Sequence, residues 1–472
     1  MRDYQLFLQG QWRSGSGGAV KSVINPATEQ PVARVACASE GDLDDALDAA
    51  AASASSWRRM PAQERGRILL QAAAILRSKI DAVSVAYSEE QGKTIAEART
   101  EFLRAVDTLV WNGEQAETLC APFPVSEGRW VTPEPAGVVA AFVPWNYPAV
   151  ITARKLGPAL AAGCAVILKA AEEAPAPVAA IVASLQESGI PPGVLSMVFG
   201  DPPAISKRLL ASPKVRVVSF TGSTRVGREL ARLAADQLQR CILELGGHAP
   251  VIVLDDADLD NAVPAITAYK FAGAGQSCNA PSRIFVQQSI YEKFVDKLTN
   301  AARSIRIGAG YEPDTQMGPM TTSRGVATME RLATDALTRG ATVTTGGRRL
   351  DRQGYFWPPT ILRDVAPASE ILREEPFGPL LPVLPFATVD DAVAMANANR
   401  YGLAAYVLGG ETQAARDIAD ALAVGSVGIN QLAGVAPHVP IGGLNESGYG
   451  YEGGAEGFRG FQSLKAISEK RS

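Results

Sequence analysis

The chain reads as an α/β protein, and three observations carry that reading. From about residue 138 to 243, short apolar runs alternate with helix-like segments. A second alternation starts near Val251-Ile-Val-Leu254 and continues to about residue 430. A glycine-rich stretch from Ile441 then leads into an apolar, strand-like end. Near-continuous apolar strands separated by helices indicate a parallel sheet covered on both faces.

Before the first alternation, residues 42–57, 62–79 and 94–119 read as alanine-rich amphipathic helices, with Asp42 and Thr94 as candidate N-caps. The first sheet then draws on strands at 138–143, 165–168, 194–199, 215–220 and 241–243. Helices at 149–162, 175–188, 203–211 and 224–238 separate them. The second unit opens with strand 251–254, helix 258–271, strand 283–286 and helix 290–305. No short internal repeat or low-complexity segment is present.

Composition narrows the function classes. With 472 residues, more than one core is expected. Hydrophobic content of 47% and charged content of 20% are those of a globular protein. A net charge of −4 gives no bulk basic field for nucleic acid or anionic lipid. The longest apolar stretch, around Ala159–Leu168, is too short for a membrane span, and the first ten residues lack the apolar core of a signal peptide. The five cysteines (37, 120, 164, 241, 278) are scattered without a CxxC, so no metal or disulfide framework is expected. A cytoplasmic location fits free thiols.

Five segments carry chemistry. Cys278 lies among small and polar residues, Gly275-Gln-Ser-Cys278-Asn-Ala, unlike Cys164 and Cys241 in their apolar runs. Glu244, at the head of Glu244-Leu-Gly-Gly, precedes it by 34 positions (278 − 244). The chain has only two histidines, 248 and 438, so a carboxylate or the local field must activate a nucleophile here. In Pro144-Trp-Asn146-Tyr-Pro148, two prolines pin a loop whose Asn146 is either a turn residue or an amide donor to an oxyanion. Lys169 ends a strand with Glu172 three residues on; the two form either a solvated pair or a ribose contact. Phe220-Thr-Gly222-Ser223-Thr joins strand to helix, either as a capped turn or as a phosphate cradle. The usual GxGxxG dinucleotide fingerprint is absent.

Together with Glu375-Pro-Phe377-Gly-Pro379 and Ile441-Gly-Gly…Glu446-Ser-Gly448, these segments resemble the NAD(P)-dependent aldehyde dehydrogenase superfamily over essentially the whole chain. The resemblance implies a Rossmann-like cofactor domain (1–121 and 140–246), a second α/β catalytic domain (247–446) and a small β oligomerisation arm (122–139 and 447–472). It implies Cys278 as nucleophile, Glu244 as base and Asn146 as oxyanion donor. Trp145, Lys169, Glu172, Gly222, Ser223, Leu245, Glu375 and Phe377 become cofactor contacts. The cofactor is expected to be NAD, with NADP weaker, because Glu172 would repel a 2′-phosphate. A homodimer or homotetramer is expected, with no metal.

The stretch Asn146–Lys155 resembles the succinate-semialdehyde branch, which implies Arg154 and Tyr147 as substrate contacts and a carboxylated semialdehyde as substrate. That branch's second arginine position is Ala272 here, and its redox-partner position two residues after the nucleophile is Ala280. His248 follows Glu-Leu-Gly-Gly, where the superfamily often has Lys or Asn; it reads as structural. The alternatives are a broad aliphatic or aromatic aldehyde dehydrogenase, a CoA-acylating enzyme, which Glu244 argues against, and a non-catalytic relative.

Overall fold

The computed structural model describes residues 1–410, 412–432 and 435–470. Positions 411, 433 and 434 of the expected span 247–446, and 471–472 of the expected arm, lie outside the described residues.

Three long helices open the α/β part: α1 (Glu40–Arg59), α2 (Ala62–Gln91) and α3 (Ile95–Cys120). Thr94 caps α3 in a capping box with Glu97. At α1 the cap is Ser39, and Asp42 is its reciprocal partner three residues in, so the expected Asp42 cap is displaced by one turn. Helix α2 runs twelve residues past the expected end (91 − 79), carrying Tyr87 into the core before Gly92, at φ +101°, stops it.

The first large sheet has eight strands in the order 448–449, 240–244, 215–221, 138–142, 166–169, 195–198, 6–8, 11–13. The five strands from 240–244 to 195–198 are parallel. Their register aligns Phe142 with Lys169 and with Phe220, and Thr221 with Glu244. Consequently Asn146, Lys169, Gly222 and Glu244 all emerge at one edge, the carboxyl ends of the strands, where ligands of open α/β sheets bind. Helices α4 (Pro148–Ala162), α5 (Pro175–Glu187), α6 (Pro202–Leu210) and α7 (Thr224–Ala235) connect them.

The second large sheet has seven strands in the order 342–345, 360–363, 380–386, 283–287, 250–253, 404–408, 426–429, parallel except at the 342–345 edge. Helix α8 (Leu259–Phe271) leads from it to a short 3-10 turn, Ala272–Gly275, and so to Cys278. Each large sheet packs on apolar clusters of its own.

A three-stranded sheet pairs 129–135 with both 123–126 and 462–468. Within the tail, 448–449 pairs with the first large sheet, and Phe458 and Phe461 pack into its core. The strands before residue 40 are absent from the sequence reading: three of them have only three residues, too few for a period, and the two longer ones, Val20–Asn25 and Gln30–Ala36, are broken by the register shift at Val23/Ile24. No described helix is long and apolar enough to cross a membrane.

Candidate active site

A cavity of about 470 Å³ lies between α3, α4 and α8, with Asn146, Tyr147, Arg154 and Cys278 on its wall. The half-buried thiol sits on the loop after the 3-10 turn. Gly247 packs against the loop so closely that a Cβ there would lie 2.2 Å from the Cys278 carbonyl oxygen. The double glycine after Glu244 is thus a packing requirement as well as a motif. Ser447 fastens the same segment, donating from Oγ to the Gly246 carbonyl at 2.6 Å, while its own carbonyl accepts from the Leu245 N–H at 3.0 Å.

Of the two activators the sequence left open, a carboxylate or the local field, the field opposes ionisation of the thiol. Burial, then the carboxylates of Glu375 and Glu244, push the Cys278 pKa up to about 12, against a weaker opposing pull from Arg154. The thiol therefore rests protonated at neutral pH, and its proton must go to a base. Burial and the neighbouring charge of Glu452 hold Glu244 up at about 8. Burial also raises Glu375 to about 8, although the Gly247 N–H and Lys270 favour its ionised form. Oε1 of each carboxylate is buried without a hydrogen-bond partner among the described residues. These are acids tuned toward neutrality, as proton-transfer chemistry requires.

The loop bearing Asn146 is held by charges that sequence reasoning missed. Buried Lys93 forms an ion pair with buried Glu101 and donates to the Asn146 carbonyl at 3.0 Å. Its ammonium also lies 4.0 Å from the centre of the Tyr147 ring. Glu101 accepts from the Ala149 N–H at 2.8 Å, supplying from another helix the cap that α4 lacks. The Asn146 amide donates to the Gln276 carbonyl at 3.0 Å, two residues before the nucleophile candidate. Beside Glu244, buried Lys155 bonds Glu452 at 2.6 Å and Ser219 at 3.0 Å. Lys155 is the one fully buried cation of α4, next to half-buried Arg154.

Along the strand edge, Lys169 and Glu172 are both buried and 2.9 Å apart, and Glu172 also accepts from the Gly200 N–H at 2.9 Å. This is not a solvated pair. Ser223 caps α7 through the Val226 N–H and remains exposed at that helix N-terminus. Gly222 donates its N–H to the Glu244 carbonyl at 3.0 Å, and Leu245 packs over Gly227. Trp145 and Phe377 meet edge to face at 5.7 Å, with Phe377 held at φ +45°. A buried orphan carboxylate oxygen on Glu375, a helix N-terminus open to solvent and a buried carboxylate at the strand edge fit a dinucleotide. His248 accepts at Nδ1 from the Asn399 amide at 2.8 Å, and burial lowers its pKa well below the ordinary value. It stays neutral, packed against Tyr401. Among the described residues, no group of three or more His, Cys, Asp or Glu side chains is placed to hold a metal.

A sequence model of the Aldehyde dehydrogenase family matches residues 12–467. The chain belongs to the aldehyde dehydrogenase family. It is 43% identical to 4-(hydroxymethyl)benzenesulfonate dehydrogenase TsaD1 of Comamonas testosteroni, over 98% of this chain and 97% of that one. It is 37% identical to the succinate-semialdehyde dehydrogenase [NADP(+)] GabD of Escherichia coli K12, over 98% and 96%. The crystal structure of succinate-semialdehyde dehydrogenase from Burkholderia pseudomallei superposes with a TM-score of 0.95 at 37% identity, covering 98% of this chain and 97% of that one. The protein is accordingly an NAD(P)-dependent aldehyde dehydrogenase with the α/β fold of its family.

Proposed function

We propose that the enzyme oxidises an aldehyde bearing an acidic group at its far end to the carboxylic acid, with Cys278 as nucleophile. One observation carries this reading: Cys278, Asn146 and Arg154 share a single cavity, and the charges of Glu244 and Glu375 act on the thiol. Glu244 or Glu375 takes the thiol proton, and sulfur adds to the carbonyl carbon. The Asn146 amide and the Cys278 backbone N–H hold the oxyanion, a kind of contact worth about 3–4 kcal/mol. Trp145, Lys169, Glu172, Gly222, Ser223, Leu245, Glu375 and Phe377 would hold the dinucleotide, which would supply the hydride acceptor. Glu244 then activates water against the thioester, which sets aside transfer to CoA.

Arg154 is the proposed grip for the acidic end, with Tyr147 beside it. Among the described residues its guanidinium forms one hydrogen bond, to the Val435 carbonyl at 3.5 Å, and no ion pair, so its charge is open to the cavity. Two relatives are named for substrates with an anionic group, a benzenesulfonate and a succinate semialdehyde. The test is a comparison of succinate semialdehyde with butanal, with NAD and without CoA. The acid should be favoured about ten- to a hundredfold, and Arg154→Ala should erase most of that by raising KM. No preference in the wild type, or equal harm to both substrates in the variant, would overturn it.

The arm supports a homodimer or homotetramer. Phe123 and Leu464 are 46% and 66% exposed on its three-stranded sheet, whose outer strand also leaves an unpaired edge. The span assignments 1–121 with 140–246, 247–446, and 122–139 with 447–472 belong to the same proposal. NAD is proposed as the preferred cofactor on the charge of Glu172.

A further inference from the structure

We propose that Arg104 is a second anion contact at the cavity mouth, which suits the site to aldehydes whose acidic end is held off by an aromatic ring. This rests on the reading of the cavity as the aldehyde site. The cavity is walled by two helical stripes of the same spacing. On α3 the stripe runs Glu97, Thr100, Glu101, Arg104; on α4 and the residue before it, Tyr147, Val150, Ile151, Arg154. Positions i, i+3, i+4 and i+7 share one helix face, so each stripe ends in an arginine.

The two arginines differ in depth. Arg154 is half-buried and acts electrostatically on both the Cys278 thiol and the Tyr269 hydroxyl. Arg104 is exposed and acts on Tyr269 and Tyr147. Tyr269 is within electrostatic reach of both guanidiniums, and its ring, with Leu432 and Val150, gives the cavity they share with the thiol an apolar lining. Beside Tyr269, α8 and its C-cap line the cavity with the small residues Ala265, Ala268 and Ala272.

The carboxylates on the α3 stripe do not neutralise Arg104. Glu101 is taken by Lys93, Tyr87 and the α4 N-terminus. Glu97 is taken by Thr94 and the Gly273 N–H. Among the described residues Arg104 forms no ion pair. A cavity of about 470 Å³ lies within the roughly 300–1,000 Å³ range of pockets for ligands much larger than a four-carbon semialdehyde. A guanidinium fork donates to either oxyanion, carboxylate or sulfonate.

The test compares 4-formylbenzoate, 4-formylbenzenesulfonate, benzaldehyde and succinate semialdehyde on wild type, Arg104→Ala, Arg104→Lys and Arg154→Ala. Arg104→Ala should raise KM for the para-substituted anions about tenfold, the lower end for a charge-assisted bond because the site is exposed. kcat should hold, and the effects on benzaldehyde and on the short acid should stay under about twofold. Arg104→Lys should recover part of the loss. An effect on one arm alone would assign the contact to that oxyanion. A change under twofold on both arms, or equal harm to benzaldehyde, would overturn the role of Arg104. If Arg154→Ala still hurts the acids in that case, the reading of the cavity survives; if neither variant matters, both fall.

Discussion

Two regions around Cys278 treat buried charge in opposite ways: a wall, Lys93 and Glu101 beside the Asn146 loop, and a floor, Glu244, Glu375 and Lys270, which lies behind the residues that line the cavity. On the wall, Lys93 and Glu101 neutralise each other, and Glu101 also serves a helix end. On the floor, Glu244, Glu375 and Lys270 are buried with unpartnered polar atoms, and their pKa values are moved toward neutrality, to about 8, about 8 and about 7. A satisfied buried pair fixes geometry, whereas an unsatisfied one costs stability and yields a group that can change its proton near pH 7. The wall should therefore answer to mutation as scaffold, and the floor as chemistry.

The largest expected effect is at the thiol between them. Cys278→Ala should abolish aldehyde oxidation while the dinucleotide still binds with near wild-type affinity, measured by fluorescence titration. Substantial residual turnover would place the nucleophile elsewhere.

Glu244→Gln comes next. Hydrolysis should fall by about 10²–10⁴ while a pre-steady-state burst of NADH persists. With its carboxyl held at about 8, the wild-type steady-state rate should rise about tenfold per pH unit below that value, and the variant should lose the dependence. A wild-type profile in the variant would remove Glu244 from the base role.

Stability should invert the ranking. Lys93→Met leaves Glu101 buried and unpaired, at a cost of about 3–5 kcal/mol by denaturant melts. Glu375→Gln removes a charge the fold does not favour. Its folded pKa of about 8 exceeds the ordinary 4.5, so the folded state binds the extra proton. That contribution to stability is full below about pH 4.5 and is lost as pH rises through about 8. The melting temperature should therefore fall between pH 6 and 9 in the wild type, and fall less in Glu375→Gln. Equal slopes would mean that water reaches the floor and relieves it.

The contrast also explains what could be read in the sequence. Glu244, Cys278 and Glu375 were legible because each sits in a short motif: Glu244 heads Glu-Leu-Gly-Gly, Cys278 lies between Ser277 and Asn279, and Glu375 precedes Pro376; Lys270, inside a helix, carried no such motif. The strand–helix alternation was legible because parallel strands are apolar throughout. The wall was not. Lys93, Glu101 and Arg104 look like the charged face of a solvated helix, and only the packing of α3 on α4 buries the first two and turns the third toward the cavity. Likewise, Lys155 and Glu452 meet across 297 positions, beyond any local pattern. The raised thiol pKa depends on which carboxylates converge in space, and a sequence does not list those distances.

The smallest effect belongs to Glu172, which combines both regions. It is buried and partnered like the wall, bonded to Lys169 and the Gly200 N–H, yet it lies at the strand edge like the floor. Its carboxylate should accept from a ribose hydroxyl and repel a 2′-phosphate. The repulsion is reduced because Lys169 sits on the same carboxylate and exposed Lys21 lies 3.8 Å away. The wild-type kcat/KM should favour NAD over NADP by about tenfold, equivalent to about 1.4 kcal/mol, and the ratio should narrow with salt if Lys21 contributes. Glu172→Gln should bring the ratio near one, chiefly by lowering KM for NADP, because it leaves Lys169 and Lys21 uncompensated beside the phosphate. The relative named for NADP(+) argues the other way, so the measurement decides. Equal or better efficiency with NADP in the wild type would mean that the two lysines outweigh the carboxylate, and that Glu172 serves only to hold the Gly200 turn.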